Sequence, residues 1–361
     1  MSRPIGGYHP FELPSQGNLP YSRTDGNYGG VKTCDAFPIN LGRSGLSFIL
    51  QHRRYRKVWL PAYICPVVFD TLNQLGVAYE TYMLDMQFAP IGHFDNIADD
   101  EAFLYVDYFG LKDATVRRLA MEQKNLIADL TMAFFCRPPA EVDAFNSARK
   151  FVGVPDGGFL FGTIAETLNQ QIQKTPDSVS RQTGWSFCRH LLMRADGDVE
   201  PGYPYFRENS EAMDGWSPCR MSLLSEKILR SVTWRSVSQR RRENFLLLHE
   251  HFGNMNELNW DSVAEAMGTS DTHEEPPIPP SDVPQCYPLL LADRNVGEDW
   301  KKRLIADKIF VPTFWSKLDR YLVDFPWEQC LVRNLICLPV DQNCTRDDMR
   351  RMIAFIQERN S

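Results

Sequence analysis

Asp129, Ser147 and Lys150 are the residues whose types and spacing can do chemistry. Leu126-Ile127-Ala128 is a short apolar run that ends on Asp129. Further on come Ser147-Ala148-Arg149-Lys150, then Gly157-Gly158 leading into Phe159-Leu160-Phe161. The pattern predicts a buried strand with a carboxylate at its carboxyl end, a lysine on a connecting turn, and another strand. A buried carboxylate is expensive unless a cation faces it. A lysine near such a carboxylate is either its structural partner or a nucleophilic amine. In open α/β sheets, ligands collect at the carboxyl ends of the strands.

These residues need a scaffold, and the composition permits one. The chain has 361 residues, 43% of them hydrophobic and 24% charged, as in an ordinary soluble protein with two domains or one large domain and an appendage. A net charge of −7 without a basic block makes nucleic acid a poor partner. The densest basic run, His52 to Lys57, reads as the solvated end of a helix, where the dipole favours cations. Nine scattered cysteines without a CxxC pair predict a reduced, cytoplasmic protein with no structural zinc. The sequence shows neither a secretory signal nor an apolar run long enough to span a membrane. No G-x-G-x-x-G fingerprint, G-x-S-x-G elbow or metal-ligand histidine spacing occurs, which excludes dehydrogenase and serine-hydrolase readings.

Strand and helix patterns alternate from Phe37 onwards. Gly42-Arg43-Ser44-Gly45 opens a helix through Leu46, Ile49 and Leu50, and such a turn offers backbone N–H groups to a phosphate or an N-cap at Ser44. Val58 to Leu60 reads as a strand, Val67 to Leu75 as a helix, Gly76 to Glu80 and Ala102 to Val106 as strands, and Leu119 to Lys124 as part of a helix. Repeats of this length imply a parallel sheet. Beyond it lie a helix from Glu166 to Ile172, loops to 218, and a helical pattern from Leu223 to His251. An acidic, Pro-rich excursion over 269–284 is followed by strands at Tyr287–Leu291 and Ile309–Pro312 with a helix between them. Thr345 with Asp348 forms a capping box before a terminal helix.

The order Asp129, Ser147-x-x-Lys150, Gly157-Gly158 resembles the cofactor site of fold-type-I pyridoxal-phosphate (PLP) enzymes, and most of all the DegT/DnrJ/EryC1/StrS family of sugar aminotransferases. The resemblance implies that Asp129 pairs with the cofactor's ring nitrogen, that Lys150 bonds to the cofactor, and that Ser147 helps hold its phosphate. Gly42-Arg43-Ser44-Gly45-Leu46 is similar to the family's G-T-x-A-L, which places the phosphate on the backbone of Arg43 and Ser44. Cys65 stands where an aromatic normally covers the ring, with Tyr63 two residues earlier. After Asp129 the family continues A-A-[QH]; here Leu130, Thr131 and Met132 stand instead, so Thr131 is the residue able to reach the cofactor. Arg220-Met221-Ser222 matches the family's R-M-S, with Pro218 in place of an Asn that reaches the phosphate across a dimer.

The implied architecture is α/β: an irregular arm over 1–37, a large PLP-binding domain over 38–235 with a mostly parallel, seven-stranded-type sheet between helices, and a smaller C-terminal α+β domain over 236–361. The implied activity is amino transfer from an amino acid, usually glutamate, to a keto-sugar nucleotide in surface polysaccharide or secondary-metabolite biosynthesis, by a homodimer. The changes at Cys65, Met132 and Pro218 keep open a protein that retains the fold in a binding or regulatory role.

Overall fold

The computed structural model describes residues 5–6, 36–213, 217–268 and 282–358. Most of the expected arm and of the acidic excursion, together with Gly215-Trp216, lie outside the described residues. The chain begins with β1 (Ile5–Gly6), β2 (Phe37–Ile39), α1 (Gly42–Arg53), β3 (Lys57–Pro61), α2 (Pro66–Leu75), β4 (Ala78–Leu84) and β5 (Pro90–Ile91). Next come β6 (Glu101–Val106), α3 (Asp113–Glu122), β7 (Leu126–Leu130), β8 (Asp143–Asn146), β9 (Gly158–Phe161) and α4 (Thr163–Lys174).

Eight of these strands form one sheet in the order β2-β9-β8-β7-β6-β3-β4-β5. The sheet has one strand more than the seven-stranded type because the two-residue β5 adds to its edge. Strands β8, β7, β6, β3 and β4 are parallel to their neighbours, and β9 and β5 run against them. Every residue of β6, β7, β8 and β9 is buried, which suits strands covered on both faces. Strand β4, which β5 pairs only at Met83 and Leu84, instead alternates between exposed and partly buried positions at its start.

Helix α1 is fixed at both ends. Arg53 in its last turn donates to both carboxylate oxygens of Asp143 at 2.7 and 3.0 Å and to Thr163 Oγ1 at 2.8 Å. The basic run is therefore a helix end, as expected, but Arg53 is committed to β8. At the other end a Cβ on Gly42 would lie 2.6 Å from Thr131 Cγ2. Only a glycine lets the first turn approach the carboxyl end of β7 so closely. The cap is Leu41 rather than Ser44, and Asn40 Oδ1 accepts the Leu41 N–H at 2.9 Å.

The second half continues with α5 (Arg189–Ala195), α6 (Val199–Ala212), α7 (Leu223–Ser231), α8 (Trp234–Phe252) and α9 (Asp261–Gly268). Helices α5 and α6 stand where the sequence showed loops. The long helical pattern from Leu223 is two helices, broken where Val232 turns to an extended backbone. Strand β10 (Cys286–Leu289), α10 (Gly297–Ala306), β11 (Ile309–Phe310), α11 (Pro326–Asn334), β12 (Ile336–Pro339) and α12 (Arg346–Gln357) complete the chain. β10 pairs antiparallel with β12, and β11 parallel with β1.

The capping box of α12 is present: Thr345 N–H donates to Asp348 Oδ2 at 2.8 Å, and Asp348 N–H returns to Thr345 Oγ1 at 3.2 Å. Thr345→Ala is expected to lower stability by about 1 kcal/mol, read as an earlier urea midpoint at unchanged slope. An unmoved midpoint would show that α12 is held by packing alone.

Candidate active site

Strand β7 carries Asp129 in register between Val106 of β6 and Phe145 of β8, so it lies at the carboxyl ends of three parallel strands. Its residue is 4% exposed. Thr131 N–H donates to Asp129 Oδ1 at 2.8 Å. Lys150 closes a single 3-10 turn after β8, and its Nζ donates to Thr131 Oγ1 at 3.0 Å. Asp129, Thr131 and Lys150 thus form one chain of contacts, with Thr131 as the intermediary. Met132, next in sequence, is fully buried and takes no part in it.

Burial works against both charges. It pushes the Asp129 carboxyl up, opposed by the Lys150 charge and by the Thr131 hydroxyl and amide. It pushes the Lys150 ammonium down, opposed by Asp129 and Cys65. Desolvation disfavours the charged form of each, and the pairing restores part of it. The result is a lysine that gives up its proton more readily than one in water, as a nucleophilic amine must.

Cys65 caps α2 without a side-chain bond and lies within electrostatic reach of Lys150, Asp129 and Arg43, while burial raises its thiol. Tyr63 points elsewhere: its ring packs 4.5 Å from that of Trp315 and 5.9 Å from that of Tyr108. Of the two, Cys65 is the one beside the lysine. Ser147 opens the turn that ends at Lys150 and is 9% exposed. Ser44, in the first turn of α1, is 1% exposed, and its hydroxyl lacks a partner among the described residues.

The glycine pair is needed for the backbone path. Gly157 has φ +126°, and a side chain on Gly158 would run into the carbonyl of Asn146. Asp156, just before the pair, was not singled out in the sequence. Its carboxylate accepts the Ser222 N–H at 2.8 Å and the hydroxyls of Ser222 and Ser225 at 2.5 Å each. This bond set seats the Arg220-Met221-Ser222 segment against the turn, with Met221 Cε 3.1 Å from the Cβ position of Gly157. The Arg220 guanidinium does not join Lys150: it donates to Pro176 O at 3.1 Å, and Arg181 is its nearest cationic neighbour.

A second contact that the sequence concealed holds the other side of the turn. Arg241 of α8, fully buried, donates to Phe151 O at 3.1 Å, to Pro284 O at 3.1 Å, to Gln285 O at 3.2 Å and to Gln342 Oε1 at 2.9 Å. Gln342 itself donates to Phe151 O at 2.8 Å. The residue that follows Lys150 is thereby clasped from the C-terminal part of the chain.

No family model matches the chain, and no curated protein matches its sequence. Solved structures do match its fold. A DegT/DnrJ/EryC1/StrS aminotransferase from Brucella abortus superposes with a TM-score of 0.58 at 12% identity, over 94% of this chain and 88% of that one. The aminotransferase TlmJ from Streptoalloteichus hindustanus gives 0.64 at 14%, over 98% of each chain. The putative sugar aminotransferase Spr1654 from Streptococcus pneumoniae, in its PMP form, gives 0.60 at 12%, over 98% of this chain and 97% of that one. This chain has the fold of the sugar aminotransferases. The match spans nearly its whole length, so the strand carrying Asp129 and the turn carrying Lys150 sit within the shared fold. At this identity the likeness extends to the fold alone, and the chemistry must be argued from the residues.

Proposed function

We propose that this protein is a PLP-dependent aminotransferase, moving an amino group from an amino acid, with glutamate as donor, to a keto-sugar nucleotide in surface polysaccharide or secondary-metabolite biosynthesis. The observation that carries this reading is the Lys150–Thr131–Asp129 chain at the carboxyl ends of the sheet strands.

The residues fit the cofactor. Lys150 supplies an amine of lowered basicity, Asp129 a buried carboxylate for the ring nitrogen, and Ser44 a buried hydroxyl with no partner among the described residues at the start of α1. Arg43, Ser44 and Ser147 would hold the phosphate, and Cys65 and Thr131 would border the ring. Arg220, turned towards Pro176, would act on the phosphate only through the segment it belongs to. Bound there, PLP supplies a ring that accepts the electrons left on carbon when a proton departs. Asp129 would hold the proton on the ring nitrogen. Lys150 Nζ, as a free amine, would take the proton from the donor's Cα and return it, with Thr131 Oγ1 holding that amine in place.

The reading includes a homodimer whose second copy completes the site, a cytoplasmic location, and a small C-terminal domain from residue 236. Eight cysteines among the described residues are free, in keeping with a reducing compartment. No helix among the described residues is long and apolar enough to cross a membrane.

The test is a visible absorption spectrum taken as PLP is added, followed by borohydride reduction and peptide mapping. A reducible band with the label on Lys150 is expected. Absence of a band, or a label spread over surface lysines, overturns the reading in favour of a binding or regulatory role.

A further inference from the structure

Arg149, beside Lys150, is a half-buried guanidinium that makes no hydrogen bond or ion pair with any described residue. Five N–H donors in a fixed fork rarely go unmet in such a position. The nearest carboxylate is Asp156, whose oxygens are already taken by Ser222 and Ser225. What faces Arg149 is mostly positive. Arg43 stands opposite in the first turn of α1, and the backbone ties the two segments together: Ala148 N–H donates to Gly157 O at 2.9 Å, and Gly157 N–H to Asn40 O at 2.5 Å. Lys150 is its neighbour in sequence. His190 of α5 lies near enough for Arg149 to help hold its imidazole uncharged, with burial the larger cause and a pKa of about 4. The Arg149 guanidinium itself is pushed down to about 10, chiefly by burial, with Asp156 opposing the shift and Arg43 adding to it.

Arg43 and Lys150 both bear on Arg149 with like charge; Asp129 opposes Lys150, and Asp156 attracts Arg149 without bonding to it, its oxygens being held by Ser222 and Ser225. Such a concentration of charge is stable when an anion joins it. A planar guanidinium with free donors selects an oxyanion that it can grip through two oxygens, and phosphoryl groups suit this best.

We propose that Arg149, facing Arg43 across the turn, is the side-chain binding site for a phosphoryl group. The proposal deepens the function argued above, and the group has two sources there, the cofactor's phosphate or the diphosphate of the sugar nucleotide. By either route Arg149 supplies a charged grip on the phosphoryl group, where Pro218 offers no side-chain donor.

The experiment compares wild-type protein with Arg149→Met and Arg149→Lys. Binding of PLP and of pyridoxal, which lacks the phosphate, is measured by absorbance. Inorganic pyrophosphate is then titrated by calorimetry into protein with and without saturating PLP. Arg149→Met is expected to weaken a phosphoryl ligand about tenfold or more, with Arg149→Lys intermediate because its point charge cannot grip two oxygens. If PLP is weakened and pyridoxal is not, the site takes the cofactor's phosphate. If PLP is unchanged but pyrophosphate binding to the PLP-loaded protein is lost, it takes the substrate's. Unchanged affinity for both phosphoryl ligands overturns the proposal. Should the wild type bind pyrophosphate but not PLP, and the variant lose it, the aminotransferase reading fails while the anion site stands. The Met variant removes a repelling charge, so its melting temperature without phosphate is expected to hold or rise, and phosphate is expected to raise it less than in the wild type.

Discussion

Lys150→Ala is expected to lose covalent attachment of PLP altogether and to lower transamination by about 10⁴-fold, near 5 kcal/mol of barrier. The size follows from the two tasks of one atom. Lys150 Nζ is the only amine in the chain of contacts with Thr131 and Asp129, and the same amine is asked to carry the proton during turnover. The substitution also leaves Asp129 without its cation, since Lys150 is what most opposes the burial that raises its carboxyl. The folded-state pKa of Asp129 then rises further above its unfolded value. An acid raised in this way binds more protons folded than unfolded, so stability falls as pH climbs from the ordinary carboxylate range to the raised value. The stability deficit of Lys150→Ala should therefore be larger at pH 7.5 than at pH 4.5 in paired urea titrations. Lys150→Arg serves as control: it keeps a cation for Asp129 but cannot form the bond, so it should be as inactive with a smaller deficit. Turnover surviving in either variant would remove Lys150 from the chemistry.

The sequence revealed whatever was local. Apolar runs marked β6, β7 and β9, because strands buried on both faces are continuous in hydrophobicity, and Val58-Trp59-Leu60 marked β3, whose burial alternates. Thr345 and Asp348, three residues apart, announced the start of α12. Asp129, Thr131 and Lys150 were readable because two short segments carry them on neighbouring strands. Contacts between distant segments left no such trace. Arg241 reaches Phe151 from 90 positions away, and within its helix it is one of three consecutive arginines with nothing to distinguish it. Asp156 meets Ser222 across 66 positions. Arg149 was passed over as a neighbour of the lysine, since a side chain's lack of partners exists only in three dimensions. Two helices were hidden for a different reason. Gly202 and Pro204 inside α6 oppose helix formation locally, and only packing of α6 against α5 explains their toleration. Conversely, Val232 and Thr233 interrupt no apolar rhythm, so the break between α7 and α8 went unseen.

Asp129→Asn should separate two roles that Lys150→Ala changes together. The amide oxygen can still accept the Thr131 N–H that Asp129 takes at 2.8 Å, so the turn and the position of Thr131 are expected to persist. The negative charge is gone, and its loss acts in opposite directions on the two halves of the reaction. Asp129 is the largest influence holding the Lys150 ammonium up against burial. Without it the amine gives up its proton at lower pH, so attachment of PLP at neutral pH should be as fast as in the wild type or faster. Its rate should reach a plateau at lower pH than in the wild type. Turnover should fall by about 10²-fold to 10⁴-fold, because a neutral amide cannot keep the ring nitrogen protonated while electrons collect on the ring. A residue that merely positioned Lys150 would slow both steps alike. Stopped-flow attachment rates against pH, set beside kcat for the same preparation, therefore decide between the roles. Attachment preserved and turnover lost assigns Asp129 to the ring nitrogen. Equal loss of both makes it a support for Lys150, and undiminished turnover removes it from the mechanism.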